Sequence, residues 1–235
     1  MALMIHKTKI TLYNSKFDTN EKLTAKAILE IFQDVAGVHA EEIGVGYVAM
    51  LEKNLYWVLS RVKFDILTMP QPNQEVIVET WPHEKGRIDF DRDFKISSLD
   101  GEVLIIGTSK WCVINTETRS LERTDNVVYN GECCLDVNYH DRFLKINLPQ
   151  TDLKPVFEYS VTFSDLDHNK HMNNTNYANL VANAAENKDF SHFEINFLNE
   201  CLIGDVLNVS VTTSQDGEYI TGTTNNKTAF IAFIK

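Results

Sequence analysis

A short segment that occurs twice limits the possible folds more than any other feature of this chain. Phe17-Asp18-Thr19-Asn20-Glu21-Lys22-Leu23 and Leu166-Asp167-His168-Asn169-Lys170-His171-Met172 both read apolar, Asp, x, Asn, x, basic, apolar. Each leads directly into a helical pattern. In the first half Leu23, Ala27, Ile28, Ile31, Val35 and Val38 recur at three- and four-residue steps, which predicts one buried helix face. In the second half Tyr177, Leu180, Val181 and Ala184 mark a helix face. Further on, Glu75-Val76-Ile77 matches Asp205-Val206-Leu207 at the start of a strand. Matches in the same order, at the same junctions, predict an internal duplication.

The remaining pattern is alternating and strand-like. In the first half strands are expected over 5–13, 55–66, 75–81, 87–97 and 103–115, with Asp100-Gly101 as a hairpin turn. In the second they are expected over 156–162, 192–197, 205–213, 218–223 and 227–234, with a turn at Asp216-Gly217. Periodicity fades between Asp125 and Lys154. The expected organisation is a repeat over 1–128, a linker over 129–154 and a second repeat over 155–235. The fold class is α+β: two long helices, each wrapped by an antiparallel sheet. Each copy leaves an edge strand to pair, so the two are expected to join into one continuous sheet.

Composition narrows the function classes. The chain has 235 residues, 43% hydrophobic and 23% charged, enough apolar surface for a core. Its net charge of −11 argues against a broad grip on nucleic acid or on an anionic membrane. No run approaches the roughly 18 apolar residues of a membrane span. The charged N-terminus MALMIHKTKI reads as neither a secretory signal nor a transit peptide. Cys112, Cys133, Cys134 and Cys201 form no CxxC pair, and a cytoplasmic setting is the simplest expectation.

The chemistry concentrates in the stretch from Phe163 to Asn174. Asp165, Asp167 and Asn169 begin like a calcium loop, but Lys170 stands where glycine is needed and Asn176 where glutamate is needed. His168 and His171 lack the spacing and companions of a zinc site. Asn173 or Asn174 would serve as a helix cap, so a plain polar capping loop competes with a catalytic reading. The repeat weighs toward the catalytic reading, because Lys22 stands where the second copy has His171. If the approach is extended, Asp167, Asn169 and His171 project from one face at the N-terminus of a helix. Free N–H groups there polarise a carbonyl, and an imidazole moves protons near neutral pH. That is the equipment of acyl transfer to water.

The run from Asp167 to Tyr177 resembles the DxNxHxNNxxY signature of the acyl-[acyl-carrier-protein] thioesterases, a family in which a Glu-Cys pair follows, as Glu200-Cys201 does here. Tyr56-Trp57-Val58-Leu59-Ser60-Arg61, Glu79-Thr80-Trp81, Gly86-Arg87-Ile88-Asp89-Phe90, Thr108-Ser109-Lys110-Trp111 and Asn115-Thr116-Glu117-Thr118-Arg119 also resemble that family. The resemblance implies a double hotdog fold with a catalytic second repeat and an N-terminal repeat that helps bind the acyl chain. It implies hydrolysis of fatty acyl thioesters on the phosphopantetheine arm of acyl carrier protein, releasing free fatty acid and ending fatty acid synthesis. It implies no metal or diffusible cofactor, and a bacterial member of the family.

On this reading Asp167, Asn169, His171 and Glu200 are the catalytic residues. Glu200 and His171 activate water, while Asn169 and Asp167 orient the other groups. A Cys201-His171-Asn169 nucleophilic set is the rival, and strand alternation favours Glu200 facing the site. The alternatives at the level of function are an acyl-CoA thioesterase and a non-catalytic acyl-binding protein. Lys85, Arg87 and Arg92 are the candidates for a basic patch toward the acidic carrier, with solvated surface charge as the competing reading. Monomer and homodimer are both compatible with a fused repeat.

Overall fold

Residues 4–235 are described by a computed structural model and divide into two units, one up to Arg142 and the other Phe143–Lys235. In the first unit β1 (His6–Thr11), β2 (Leu55–Ile66), β3 (Glu75–Pro82), β4 (Phe90–Ser98) and β5 (Val103–Asn115) form an antiparallel sheet in the order β1-β3-β4-β5-β2. Two helices belong to this unit, α1 (Ala25–Glu42) and α2 (Tyr47–Leu51). In the second unit β6 (Lys154–Ser160), β7 (His192–Phe197), β8 (Val206–Thr213), β9 (Glu218–Thr224) and β10 (Lys227–Ile234) form an antiparallel sheet in the order β7-β10-β9-β8-β6. Its helix is α3 (Asn174–Ala184). This is the tandem hotdog layout expected from the sequence. Among the described residues no helix is long and apolar enough to cross a membrane.

Helix α1 starts at Thr24, whose Oγ1 accepts the Ala27 amide at 3.1 Å. Its buried stripe runs through Ile28, Phe32, Val35 and His39. The ring of Phe32 stacks on Phe94 of β4, with centroids 4.2 Å apart. Gly107 makes room for that approach, since a Cβ there would lie 2.3 Å from the Phe32 ring. One expectation fails here. Val38 is 51% exposed, and the inner position at the end of the stripe belongs to His39, 2% exposed. Steps of four, three and four residues from Ile28 reach position 39, so the face passes Val38 by.

The duplication recurs in the backbone geometry of the two approaches. Asn14–Lys16 and Phe163–Asp165 each form one 3-10 turn. Each is followed by an isolated bridge, Phe17 with Leu23 and Leu166 with Met172. The chain then reverses through a left-handed residue, Glu21 (φ 59°) or Lys170 (φ 65°). The strand match needs correcting by one residue. In the first unit Leu12 N donates to Gln74 O (2.9 Å) and Asn73 N to Leu12 O (2.7 Å). In the second, Val161 N donates to Asp205 O and Gly204 N to Val161 O, both 2.9 Å. Gln74 therefore corresponds to Asp205, not Glu75, and Met69 stands where the second unit has Glu200. The two carboxylates misled the sequence match because side-chain chemistry, not turn geometry, set the alignment.

Part of the stretch between the repeats is anchored to the first sheet. Asn138 N donates to Asp93 Oδ2 (2.6 Å), and Asn138 Nδ2 donates to Phe94 O (2.8 Å) and Gly107 O (2.9 Å). The Tyr139 hydroxyl donates to Asp65 Oδ2 at 2.7 Å, and Trp81 Nε1 to Asp136 O at 2.9 Å. Such bonds substitute for the regular strand contacts this segment lacks.

Candidate active site

The site is built on the approach to α3. Thr162 and Asp165 cap each other: Asp165 Oδ2 accepts from Thr162 N and from its hydroxyl, both at 2.8 Å. The other Asp165 oxygen accepts the Tyr159 hydroxyl at 2.7 Å. The Asp165 carbonyl then receives Asn173 N (2.8 Å) and Asn176 Nδ2 (3.0 Å), which ties the turn to the first turn of α3. Asp165 is thus a buried organiser, which sequence reading had weighed only as a calcium ligand.

The segment from Asp167 to His171 does not run as an extended strand. Asp167 Oδ1 accepts the amides of Asn169 (2.8 Å) and His171 (3.2 Å), while Asp167 N donates to His171 O at 2.8 Å. A carboxylate at this position captures its own downstream backbone, as Asx turns do, and closes the segment into a loop. The one-face geometry expected of Asp167, Asn169 and His171 therefore does not hold. Asp167 binds backbone, and its role is to shape the loop. The side-chain amide of Asn169 is half-buried and has no partner among the described residues.

His171 and Glu200 come together. His171 Nε2 lies 3.2 Å from Glu200 Oε2, with both side chains partly open to solvent. Glu200 sits in the connection between β7 and β8 rather than on a strand. Met172 N donates to Cys201 O at 2.9 Å, which fastens that connection to the loop and delivers Glu200 to His171. Cys201 is fully buried and hydrogen-bonds the Tyr177 hydroxyl of α3. Burial pushes its thiol pKa up, against the Tyr177 hydrogen bond, so the thiolate is disfavoured. The structure thus directs Glu200 outward to the histidine and Cys201 inward to the core.

At the helix end Asn173 Oδ1 accepts the Thr175 amide at 2.9 Å. The Asn174 N–H is left without an acceptor among the described residues. It adds a free donor and the positive end of the helix dipole three residues along the chain from His171. The arrangement offers a proton acceptor, a second titratable group to relay the proton, and a donor for a developing oxyanion. Among the described residues no three His, Cys, Asp or Glu side chains cluster as metal ligands do.

The proposed basic patch loses one member. Arg92 is 8% exposed and points into the core of the first unit. Lys85 is committed to the carbonyls of Thr124 (3.3 Å) and Val127 (2.8 Å). Arg87 is exposed.

Comparison with known proteins matches residues 4–131 to the acyl-ACP thioesterase N-terminal domain and residues 150–230 to the acyl-ACP thioesterase C-terminal domain. Oleoyl-acyl carrier protein thioesterase 1, chloroplastic, of Arabidopsis thaliana is 27% identical, over 95% of this chain and 67% of that protein. Palmitoyl-acyl carrier protein thioesterase, chloroplastic, of Gossypium hirsutum is 25% identical, over 91% of this chain and 56% of that protein. Among solved structures, an acyl-ACP thioesterase from Bacteroides thetaiotaomicron superposes with a TM-score of 0.81 at 22% identity, covering 98% of this chain and 97% of that one. The 12:0-ACP thioesterase from Umbellularia californica gives a TM-score of 0.81 at 21% identity, covering 100% and 98%. At these identities the two structures bear on the fold alone.

Proposed function

The chain belongs to the acyl-ACP thioesterase family, and from that premise we propose that it hydrolyses fatty acyl thioesters carried on acyl carrier protein, releasing the free fatty acid and ending acyl chain synthesis. The observation that carries the reading is the His171–Glu200 pair, 3.2 Å apart, at the N-terminus of α3. The thioester carbonyl lies against that helix end, where the Asn174 N–H and the dipole stabilise the oxyanion. A water held by His171 and Glu200 gives its proton to the pair as its oxygen bonds the carbonyl carbon. The C–S bond then breaks, and the pair returns the proton to the leaving phosphopantetheine sulfur. Asn169 positions the carbonyl or the water through its unpaired amide. Asp167 acts indirectly, by holding Asn169 and His171 in place. Four cysteines without a disulfide among them suit a reducing, cytoplasmic setting.

The named relatives act on oleoyl and palmitoyl groups, so chain length is a variable within the family. The test is a hydrolysis assay across acyl lengths, each offered on acyl carrier protein and on CoA. Turnover on the carrier protein exceeding that on CoA is expected. Faster release from CoA would make it an acyl-CoA thioesterase, and no release from either would leave an acyl-binding protein.

A further inference from the structure

The two repeats supply an internal control for the turn that precedes the loop. In the first, Lys16 N donates to Tyr13 O (3.0 Å), Asp18 N to Lys22 O (2.9 Å) and Thr24 N to Lys16 O (3.0 Å). In the second, Asp165 N donates to Thr162 O (3.1 Å), Asp167 N to His171 O (2.8 Å) and Asn173 N to Asp165 O (2.8 Å). Lys16 therefore corresponds to Asp165, Tyr13 to Thr162 and Thr24 to Asn173. In the same register Ile10 corresponds to Tyr159, and Ala27 to Asn176.

The backbone bonds match, but the side chains do not. In the second copy Asp165 is 8% exposed. One of its oxygens accepts the Thr162 amide and hydroxyl, both at 2.8 Å, and the other accepts the Tyr159 hydroxyl at 2.7 Å. Burial and the Asp165 charge push the Tyr159 pKa up to about 12, so that hydroxyl remains a donor at neutral pH. Asn176 Nδ2 adds a bond to Asp165 O at 3.0 Å. The first copy cannot build these contacts. Lysine has no acceptor oxygen, isoleucine and alanine have no polar group, and its turn carries no side-chain cap bond. The loop thus closes there without them. Burying a carboxylate is costly even among hydrogen-bond donors, so its gain lies in something that the second copy does and the first does not. The second copy is the one with His171 and Glu200.

Asp165 and Asn173 are the two ends of the loop that carries His171. Asn173 and Asn176 belong to the start of α3, which carries the Asn174 N–H. One residue therefore fastens both, and its carboxylate fastens that residue to Tyr159 of β6. We propose that Asp165, held by Tyr159 and Thr162 and backed by Asn176, is a positioning residue for the reaction, keeping His171 in register with the first turn of α3 without touching substrate. The proposal rests on the hydrolytic reading of the His171–Glu200 pair. A misplacement of about 1 Å at reacting groups costs on the order of 10² in rate, which is the gain that offsets the buried carboxylate.

Asp165→Ala removes a buried cap and endangers folding, so the test changes its partners. Steady-state hydrolysis of an acyl carrier protein thioester is measured for Tyr159→Phe, Asn176→Ala, Lys16→Ala and His171→Ala, with folding checked by circular dichroism. The second readout needs no turnover. It is the His171 imidazole proton resonance of the free chain, identified by its loss in His171→Ala. Tyr159→Phe and Asn176→Ala should each lower kcat roughly tenfold with KM within about twofold, and should each shift the His171 resonance. Lys16→Ala should change neither. A cap that only stabilised the fold would lower the melting temperature and leave kcat and that resonance alone. If His171→Ala is inactive, then parent-like kcat in both variants, an effect on KM alone, an unmoved His171 resonance or an equal loss in Lys16→Ala would each overturn the proposal. Parent-like turnover by His171→Ala, or none by the parent at any chain length, would instead remove the hydrolytic reading, and the proposal with it.

Discussion

Asp18 and Asp167 make the same bonds in the two repeats. Asp167 Oδ1 accepts the amides of Asn169 and His171, and Asp18 Oδ1 accepts those of Asn20 (2.8 Å) and Lys22 (3.0 Å). The loop is therefore a scaffold that both copies build, and two side chains of the proposed site set the second copy apart. His171 replaces the lysine, and Glu200 replaces Met69.

It follows that Asp167 is a positioning residue. Asp167→Ala should cost roughly 1–3 kcal/mol of stability, the range for charged hydrogen bonds to backbone. Turnover should fall with it, while Asp167→Asn, which keeps one acceptor oxygen, recovers much of both. Denaturant unfolding alongside kcat and KM checks this. A fully stable Asp167→Ala variant with abolished turnover would mean that its carboxylate acts on substrate directly.

The first repeat should be silent in the chemical step. Changing Asn20 and Lys22 together to alanine is expected to leave turnover at saturating substrate within a few-fold of the parent. A loss matching that of His171→Ala in folded protein would contradict the assignment.

Much of the fold was legible because its signals are local and periodic. The strand and helix patterns and the doubled Asp-x-Asn segment recur with shifted ends: β4 starts at Phe90 rather than Arg87, β6 covers Lys154–Ser160, and Val38 leaves the buried face of α1. What escaped was geometry set by hydrogen bonds. Asp167 bends its own chain, so spacing counted along an extended strand misplaced the carboxylate. His39 carried no visible sign of burial, since a histidine at the end of an apolar stripe resembles a polar boundary. Its partner Arg92 resembles a surface charge in sequence, and only the inward direction of β4 puts it beside His39. Glu200 and Cys201 were separated correctly, although they lie in a connection whose turn, rather than strand alternation, sends them opposite ways.

Cys201 should be dispensable for catalysis. Cys201→Ala is expected to keep most turnover while lowering stability, since it removes the buried thiol from the Tyr177 hydroxyl, which keeps its hydrogen bond to the Cys201 backbone. Thermal unfolding and steady-state kinetics on one preparation separate the two effects. A covalent acyl group trapped on Cys201 during turnover would overturn this.

The His39–Arg92 contact predicts acid sensitivity of the first unit. His39 titrates at about 3 when folded and near 6.5 when unfolded, so the unfolded chain binds the extra proton. Its contribution to stability is complete above pH 6.5 and is lost as pH falls toward 3. The groups facing it are Arg92 and His6, the latter paired with Glu42. Unfolding free energy measured across that window should fall less steeply for His39→Asn than for the parent. Parallel slopes would remove His39 as the cause.

The central claim is that the His171–Glu200 pair performs the hydrolysis. Its most direct test is single-turnover hydrolysis of acyl carrier protein thioester by His171→Ala and Glu200→Gln, with folding checked by circular dichroism. Each variant should lose about 10²–10⁴-fold in rate, the usual contribution of general acid–base groups. The double variant should lose little more than the worse single one, because the two act as a unit. Rates within twofold of the parent for both single variants would contradict the account and leave the loop as a helix cap alone.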